Sequence, residues 1–402
     1  MGTVIRMRVI AEALRRLPVI ADVDVAVVGG GMAGFAAACT AARAGAKTLL
    51  IERFGFSGGL ATGGLINVFW VLDDGDGHAV IGELSREILR RLDRMGALWI
   101  KPIWRGGHSA RRRRGIRNAP WFDPETLKLV CDRLLTASGA GILYHAHAGQ
   151  PIVRGQTIRA IPVETKSGRK AVVARVFIDA TGDADLATAC GAPCVERRNE
   201  QMTAWFRAAG DAFQPRQDSL DFLRLAPIIE SGEHTAPAER KAPDFDSLTS
   251  EGLSGWEIAA REMIFRKLAV MRKRLGGRVW AVAMPTHPNV RKTRRIVGAY
   301  ALGRKDNLRR FEDAVGRQGF WVVPGEVYEI PYRCLLPKGV ENLLVAGRCV
   351  STTEDGWDIT RILSGCVLTG EAAGAAAALA ARDRLAAADV DAVQIRRLMA
   401  SP

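Results

Sequence analysis

The sequence is poor in the residues that build metal centres and disulfide frameworks. It has 6 histidines and 7 cysteines among 402 residues, and no pair of cysteines has the Cys-x-x-Cys spacing. This argues against a thioredoxin-type dithiol and a clustered zinc or iron–sulfur site. An odd cysteine number without a secretory signal also argues against a disulfide framework. The sequence therefore predicts no metal site.

A long apolar run is also missing. No uninterrupted run reaches the roughly 18 residues that a spanning helix needs. Arg6, Arg8, Arg15 and Arg16 interrupt the first 17 residues, which breaks the apolar centre of a secretory signal. We therefore expect a cytoplasmic protein without a membrane span, whose first residues form an amphipathic arm.

Positive charge is in excess. The formal net charge is +14, and the densest basic run is Arg111–Arg114, between glycines. This run is either a solvated loop or a surface that attracts phosphate. Because zinc-finger spacing, a homeodomain helix and a base-stacking motif are all missing, the sequence disfavours a nucleic-acid partner. The charge favours anionic ligands, and a protein acting on RNA stays open as an alternative.

The strongest motif lies near the start. An apolar run at 25–28 has the composition of a buried parallel strand, and Gly29, Gly31 and Gly34 follow it in the G-x-G-x-x-G pattern. These glycines allow a tight turn, close approach of a diphosphate and close helix packing. After an alanine-rich helix, Glu52 ends a second strand, where an acid binds a ribose. The segment predicts a dinucleotide-binding unit.

Other glycine-rich turns follow along the chain. The loop 55–64 can lay backbone amides along an extended anion. Alternating residues at 151–178 indicate a small antiparallel meander, which ends in a buried strand and Gly182. A further buried strand leads to Gly347 and to a helix rich in alanine and glycine. Residues 196–330 differ in composition and contain a long predicted helix near 251–275, so we expect a second domain there.

Three buried strands with glycine turns at 29, 182 and 347 are too widely spaced for a simple nicotinamide-binding domain. The chain resembles the FAD-dependent oxidoreductases of the glutathione-reductase-like fold, specifically the bacterial family related to fumarate reductase and succinate dehydrogenase flavoproteins. The resemblance covers nearly the whole chain, in the stretches Val27–Arg53, Gly55–Gly64, Phe122–Leu135, Phe177–Ala187, Val290–Leu302, Glu329–Leu336 and Asn342–Ala376.

The resemblance implies an α/β fold: a Rossmann-like FAD-binding domain with a small antiparallel β-meander and an inserted α+β substrate domain. The FAD-binding domain would comprise residues 1–195 and 331–402, and the substrate domain residues 196–330. FAD would be the cofactor. Its diphosphate would lie over the first glycine turn and its adenosine half near 52–53 and 180–182. Residues 58–62 would line the path of its phosphates and ring, 347–348 would approach its ribityl chain, and 360–362 would approach the ring edge. The residues expected to bind it are Gly29, Gly31, Met32, Ala33, Gly34, Glu52, Arg53, Gly58, Gly59, Ala61, Thr62, Ala180, Thr181, Gly182, Gly347, Arg348, Arg361 and Ile362.

Candidate catalytic residues lie in the turn before the last long helix. Glu354 and Asp358 could include a general base with a raised pKa, or they could be solvated turn acids and helix caps. Arg361 would contact the flavin or act in catalysis. Weaker candidates are also present, each with an ordinary structural explanation: Tyr332 and Arg333 facing the ring, His78 as a base or flavin tether, and Arg291, Arg294 and Arg295 as an anion-binding face.

The predicted function is an FAD-dependent oxidoreductase that takes a hydride from, or delivers it to, a small organic substrate through flavin N5. An anionic substrate is one option, and the electron acceptor is unknown. Alternatives are a flavoprotein acting on RNA and a partner-dependent electron-transfer FAD subunit. A homo-oligomer is also compatible with the sequence.

Overall fold

The structure is a computed structural model that describes residues 10, 15–74, 79–100, 120–198, 206–210, 245–323 and 325–400. His78 and the run Arg111–Arg114 lie outside the described residues.

A parallel sheet forms the centre of the fold. Its strands follow the order β5-β2-β1-β9-β16, where the residue ranges are β1 Val19–Val28, β2 Thr48–Ile51, β5 Gly141–Leu143, β9 Gly168–Asp179 and β16 Leu343–Val345. Val28 pairs with Ile51 and with Asp179, and Val345 also pairs with Asp179. The carboxyl ends of these strands are therefore level, and they form one edge of the sheet.

An antiparallel extension continues from β9. The long strand β8 pairs with β9 and with two short strands, where β6 is His147–Ala148, β7 is Ile152–Arg154 and β8 is Thr157–Thr165. The predicted Rossmann-like α/β class with a small antiparallel meander is thus confirmed.

Eight α-helices lie within the described residues. They are α1 Met32–Arg43, α2 Glu83–Arg94, α3 Pro124–Ser138, α4 Asp185–Ala189, α5 Ser250–Leu275, α6 Trp357–Thr360, α7 Leu363–Asp383 and α8 Ala392–Met399. Of these, α1 and α7 pack directly on the central sheet. Helix α3 begins with the residues typical of a helix start. Asp123 is the N-cap and accepts a hydrogen bond from the Thr126 amide, and Pro124 occupies the first helical position. By length and composition α7 could cross a membrane, but it is almost entirely buried in protein, as a core helix is.

Smaller two-stranded sheets complete the described structure. They pair β3 Leu98–Ile100 with β4 Pro120–Phe122, β10 Cys194–Glu196 with β13 Arg294–Ile296, β11 Arg207–Gly210 with β12 Val279–Ala283, and β14 Ala314–Gly319 with β15 Val327–Pro331. Helix α5 packs on β11 and β12 through a separate apolar cluster that includes Trp256, Ile264 and Leu268. The domain bounds 196 and 330 stay a prediction.

Helices α1 and α7 lie unusually close together, because α7 presents glycines to α1. A Cβ on Gly370 would lie 2.2 Å from the Ala33 carbonyl oxygen, and one on Gly374 would lie 2.3 Å from the Ala37 carbonyl oxygen. Both distances are far below van der Waals contact, so any side chain would push the two helices apart.

We expect Gly370→Ala to lower the free energy of unfolding by about 1–3 kcal/mol through overpacking, although alanine is the better helix former by about 1 kcal/mol. Urea denaturation measures the change. Gly31→Ala is the control, because a Cβ at Gly31 would meet no protein atom within 4 Å. Equal stabilities of the two variants would contradict the packing argument.

A buried acid lies where α7 meets the start of α2. Glu371 is 3% exposed, and one of its oxygens accepts from the Leu84 amide at 3.2 Å. Its other oxygen has no partner among the described residues. Burial raises the pKa of Glu371 from 4.5 to about 8, so the folded protein holds a proton that the unfolded chain releases.

The contribution of Glu371 to stability is therefore fully present below about pH 4.5 and is lost as the pH rises towards 8, by up to about 1.4 kcal/mol per pH unit. We expect Glu371→Gln to flatten this slope between pH 5 and 8, as measured by urea denaturation at several pH values. A wild-type slope that the variant retains would contradict the assignment.

Candidate functional site

The described residues enclose a cavity of about 580 Å³ at the carboxyl edge of the parallel sheet. This is the size and place expected for a ligand in an open α/β sheet. Most of the residues expected to bind a cofactor line it, namely Gly29, Gly31, Met32, Ala33, Glu52, Arg53, Gly58, Gly59, Ala180, Thr181, Gly182, Gly347, Arg348 and Arg361. Segments more than 300 residues apart thus meet at one site.

The first glycine turn shapes one wall of the cavity. Gly29 has φ +96°, and a Cβ there would lie 2.5 Å from the Ala180 carbonyl oxygen. A Cβ on Gly34 would lie 1.8 Å from the Gly29 carbonyl oxygen, so Gly34 serves packing and does not line the cavity. Gly31 differs, because it is extended and has open space beside it. It keeps the cavity surface free of a side chain.

Glu52 holds two turns together at the end of β2. Its carboxylate accepts from the Gly30 amide at 2.5 Å and from the Phe54 amide at 2.8 Å. Each carboxylate oxygen can accept a further hydrogen bond, so Glu52 can also accept a hydrogen bond from a ligand hydroxyl. The acid therefore shapes the glycine loops as well as facing the cavity.

Asp179 organises the neighbouring turn, which follows β9. It is fully buried and accepts from the Thr181 amide and hydroxyl at 3.0 and 2.7 Å, and from the Ala187 amide at 2.8 Å. Burial raises its pKa. Asp179 thereby fixes both the turn around Gly182 and the start of α4.

Arg348 spans the gap between the β9 and β16 turns. Its Nε donates to the Gly182 carbonyl oxygen at 2.9 Å, and its Nη2 donates to Asp183 at 2.5 Å. Its Nη1 is buried and has no partner among the described residues. A buried guanidinium nitrogen beside a cavity fits a polar or anionic ligand.

The start of α7 forms the far end of the cavity. Arg361, Leu363 and Cys366 line it there, and the first turn of α7 has neither a side-chain cap nor an acid. The start of α1 is likewise free of a side-chain cap and of acids. Two helix N-termini therefore direct positive potential into the same cavity, which fits an extended anionic dinucleotide.

Asp358 does not have the raised pKa expected of a general base. It accepts from Arg361 Nε at 2.5 Å and from Lys292 Nζ at 3.2 Å. Burial acts to raise the pKa of Asp358, but these two cations outweigh it and hold the pKa below its ordinary value. Asp358 does not line the cavity; instead, it holds Arg361.

The structure does not favour Glu354 as a general base either. Its side chain is 53% exposed, pairs with Arg197, and lies 3.4 Å from Arg295, outside the cavity lining. Glu354 begins the turn 354–356, and its side chain is largely in solvent. The alternative of a solvated turn acid fits the structure.

The remaining candidates have structural partners. Thr62 donates to the Ser57 carbonyl oxygen at 2.9 Å and supports the glycine loop; like Ala61 and Ile362, it does not line the cavity. The Tyr332 hydroxyl donates to the Ala387 carbonyl oxygen at 2.6 Å, and Arg333 pairs with Asp313 at 2.9 Å.

The arginine-rich segment before β13 and within it is partnered as well. Arg294 pairs with Asp185 at 2.9 Å, and Arg295 donates to the Thr352 carbonyl oxygen at 2.6 Å. Arg291 also has an interaction of its own. The arginines that the sequence suggested as an anion-binding face therefore interact with other groups of the protein.

His287 is the principal lining residue that the sequence did not single out. Its ring stacks on Phe54, with centroids 5.2 Å apart. Burial lowers the pKa of His287 to about 4, so the ring is neutral at pH 7. Nothing local in the sequence marks it, because its partner lies 233 positions earlier. Other lining residues that were missed include Ala146–Gln150, Asp183, Asp185, Ser247, Leu253, Val290 and Cys366.

Comparison with known proteins gives one family. A family model described as FAD dependent oxidoreductase matches residues 24–252 and 194–399. No curated protein matches the sequence.

Several solved structures resemble the chain. A geranylgeranyl bacteriochlorophyll reductase-like protein from Thermoplasma acidophilum is 12% identical, with a TM-score of 0.45, over 94% of this chain and 82% of that one. A 3-ketosteroid-delta4-(5alpha)-dehydrogenase from Rhodococcus jostii RHA1 is 16% identical, with a TM-score of 0.43, over 90% and 97%. THI4 of Thermovibrio ammonificans is 21% identical, with a TM-score of 0.30. That match covers 42% of this chain and 61% of THI4, less than two thirds of its length.

We expect Gly31→Ala to weaken FAD binding by about 10- to 100-fold while leaving the FAD-free protein as stable as the wild type. The added methyl group would meet no protein atom within 4 Å, so it would contact only a cofactor lying against this turn, and such overpacking costs about 1–3 kcal/mol. Titration of the FAD-free protein, followed by flavin fluorescence, measures the affinity. Unchanged affinity would show that the diphosphate does not lie against this turn.

Proposed function

Because the chain belongs to the FAD dependent oxidoreductase family, we propose that it transfers a hydride between FAD and a small organic substrate. The chain is an enzyme, and FAD is its cofactor. The observation that carries the proposal is the meeting of the turns after β1, β9 and β16, with the starts of α1 and α7, around one cavity.

The residues divide along the cavity by the part of the cofactor that they would hold. The amides at the start of α1 would bind the diphosphate, and Glu52 the adenosine ribose. Arg348 would donate its free Nη1 to the chain between the diphosphate and the ring. Arg361 and the start of α7 would lie against the ring edge. When bound, FAD supplies hydride exchange at its N5 atom.

Arg361 and α7 provide positive charge where the reduced ring carries negative charge. A fixed guanidinium and a helix N-terminus in a partly buried cavity stabilise such charge without reorganising. Asp358 is a positioning residue in this scheme, because its ion pair with Arg361 sets the direction of the guanidinium. Neutral His287 contributes hydrogen bonding and stacking rather than a charge.

The surroundings of Arg361 indicate where an organic substrate would lie. The Trp70 and Trp321 rings are 5.8 Å apart, and the Arg361 guanidinium lies 5.9 Å from the Trp321 ring. Ser364, in the first turn of α7, donates to the Trp70 carbonyl oxygen at 2.8 Å. Aromatic side chains of this kind favour an apolar or planar organic molecule beside the ring edge.

The first experiment is anaerobic stopped-flow mixing of the FAD-loaded protein with a panel of small organic acids, alcohols and ring ketones. Bleaching of the flavin absorbance by one compound supports hydride transfer. Bleaching only when a partner protein is added would favour the electron-transfer subunit. A protein that stays colourless after incubation with FAD would overturn the proposal.

We expect Arg361→Met to slow flavin reduction by about 10²- to 10³-fold and to lower the flavin reduction potential, because the variant removes a charge preorganised at the ring edge. Arg382→Met, at the exposed far end of α7, is the matched control and should leave both unchanged. An unaltered potential in Arg361→Met would place the guanidinium away from the ring.

A further inference from the structure

The cavity is closed in part by residues from the region that holds α5. Ser247 and Leu253 line it together with the first glycine turn, although they belong to the loop before α5 and to its first turn. Ser247 is 5% exposed, and its hydroxyl has no hydrogen-bond partner among the described residues. A buried hydroxyl without a partner costs free energy unless a ligand supplies one.

The turn that carries Ser247 is held in place by its neighbours. Asp246 accepts from the Leu248 amide at 2.9 Å, and Thr249 caps α5 by accepting from the Gly252 amide at 3.1 Å. A Cβ on Gly252 would lie 2.0 Å from the Asp246 carbonyl oxygen, so the loop folds tightly onto the start of α5. Ser247 therefore belongs to a structured turn at the cavity wall, where its buried hydroxyl has no partner among the described residues.

A chain of ion pairs connects this turn to the wall formed by α4. Arg294 joins Asp185 at 2.9 Å to Glu196 at 3.2 Å. Arg198 then joins Glu196 at 3.1 Å to Asp246 at 2.8 Å. The two ends of the chain are a residue that lines the cavity and the residue next to Ser247.

The α4 wall faces the ribose end of the dinucleotide fingerprint. The Asp185 amide donates to the Thr181 hydroxyl at 3.0 Å, and Asp185 interacts electrostatically with Arg53. Arg53 follows Glu52, and an acid at the end of the second strand binds the adenosine ribose in this type of fold. The Ser247 turn is thus linked to the adenosine end of the cavity rather than to the Arg361 end.

We propose that the turn before α5 is a clamp on the adenosine half of FAD, in which the Ser247 hydroxyl hydrogen-bonds the ligand and Leu253 covers it. This inference rests on the cofactor orientation given under the proposed function. It also has a structural consequence: binding of the cofactor would fix the position of the region that holds α5. Both residues of the clamp, Ser247 and Leu253, already line the cavity.

Flavin titrations test the clamp. We expect Ser247→Ala to weaken FAD binding by about 3- to 10-fold, the range for one neutral hydrogen bond, while FMN, which lacks the adenosine half, binds as it does to the wild type. Ser254→Ala, the same change on an exposed position of α5, should bind both as the wild type does. Thermal unfolding of the FAD-free variants shows whether they are folded.

Hydrogen exchange provides a second readout that does not depend on a variant. We expect FAD, but not FMN, to slow exchange of the amides at 248–253, and Arg198→Gln to reduce that protection by breaking the ion-pair chain. FAD affinity unchanged in Ser247→Ala, or equal protection by FMN, would overturn the clamp while leaving the cofactor assignment standing. Failure of the wild type to bind either flavin would overturn both.

Discussion

The contact between α1 and α7 is the constraint on which the site depends. Gly370 and Gly374 let the backbones of the two helices touch, and this places both N-termini at the same edge of the sheet. Gly347 contributes on the neighbouring turn, because a Cβ there would lie 2.8 Å from Ala33 Cβ. The sheet places the turns at one edge, and the N-termini of α1 and α7 supply positive electrostatic potential there.

This arrangement concentrates positive potential before any ligand is present. Two helix starts add positive potential to a cavity whose lining contains three arginines, Arg53, Arg348 and Arg361, and three acids. The acids have other roles: Glu52 holds backbone amides, Asp183 pairs with Arg348, and Asp185 pairs with Arg294. Asp358 orients Arg361 from outside the cavity. The negative charge of a dinucleotide would therefore balance the positive potential of the two helix starts. The excess of basic residues in the whole chain favours its approach.

The sequence predicted the features that are encoded locally. Strand, glycine turn and helix follow one another within about ten residues at each of the three turns, so the fold class and much of the cavity lining could be predicted. Features created by long-range contacts could not. His287 gains its place by stacking on Phe54. Asp358 loses the character of a base because Arg361 and, from 66 positions earlier, Lys292 lie beside it and lower its pKa. Such pairings leave no periodic pattern in the sequence.

The pairing of β16 with β9 also affects how the protein is made. Val345 must reach Asp179, 166 positions earlier, before the turn that carries Arg348 has a place in the sheet. Contacts of such sequence separation form slowly, because a large loop must close first. On the ribosome, the glycine turn after β1 emerges long before its partners, so the cavity can be complete only after the turn that carries Arg348 has emerged.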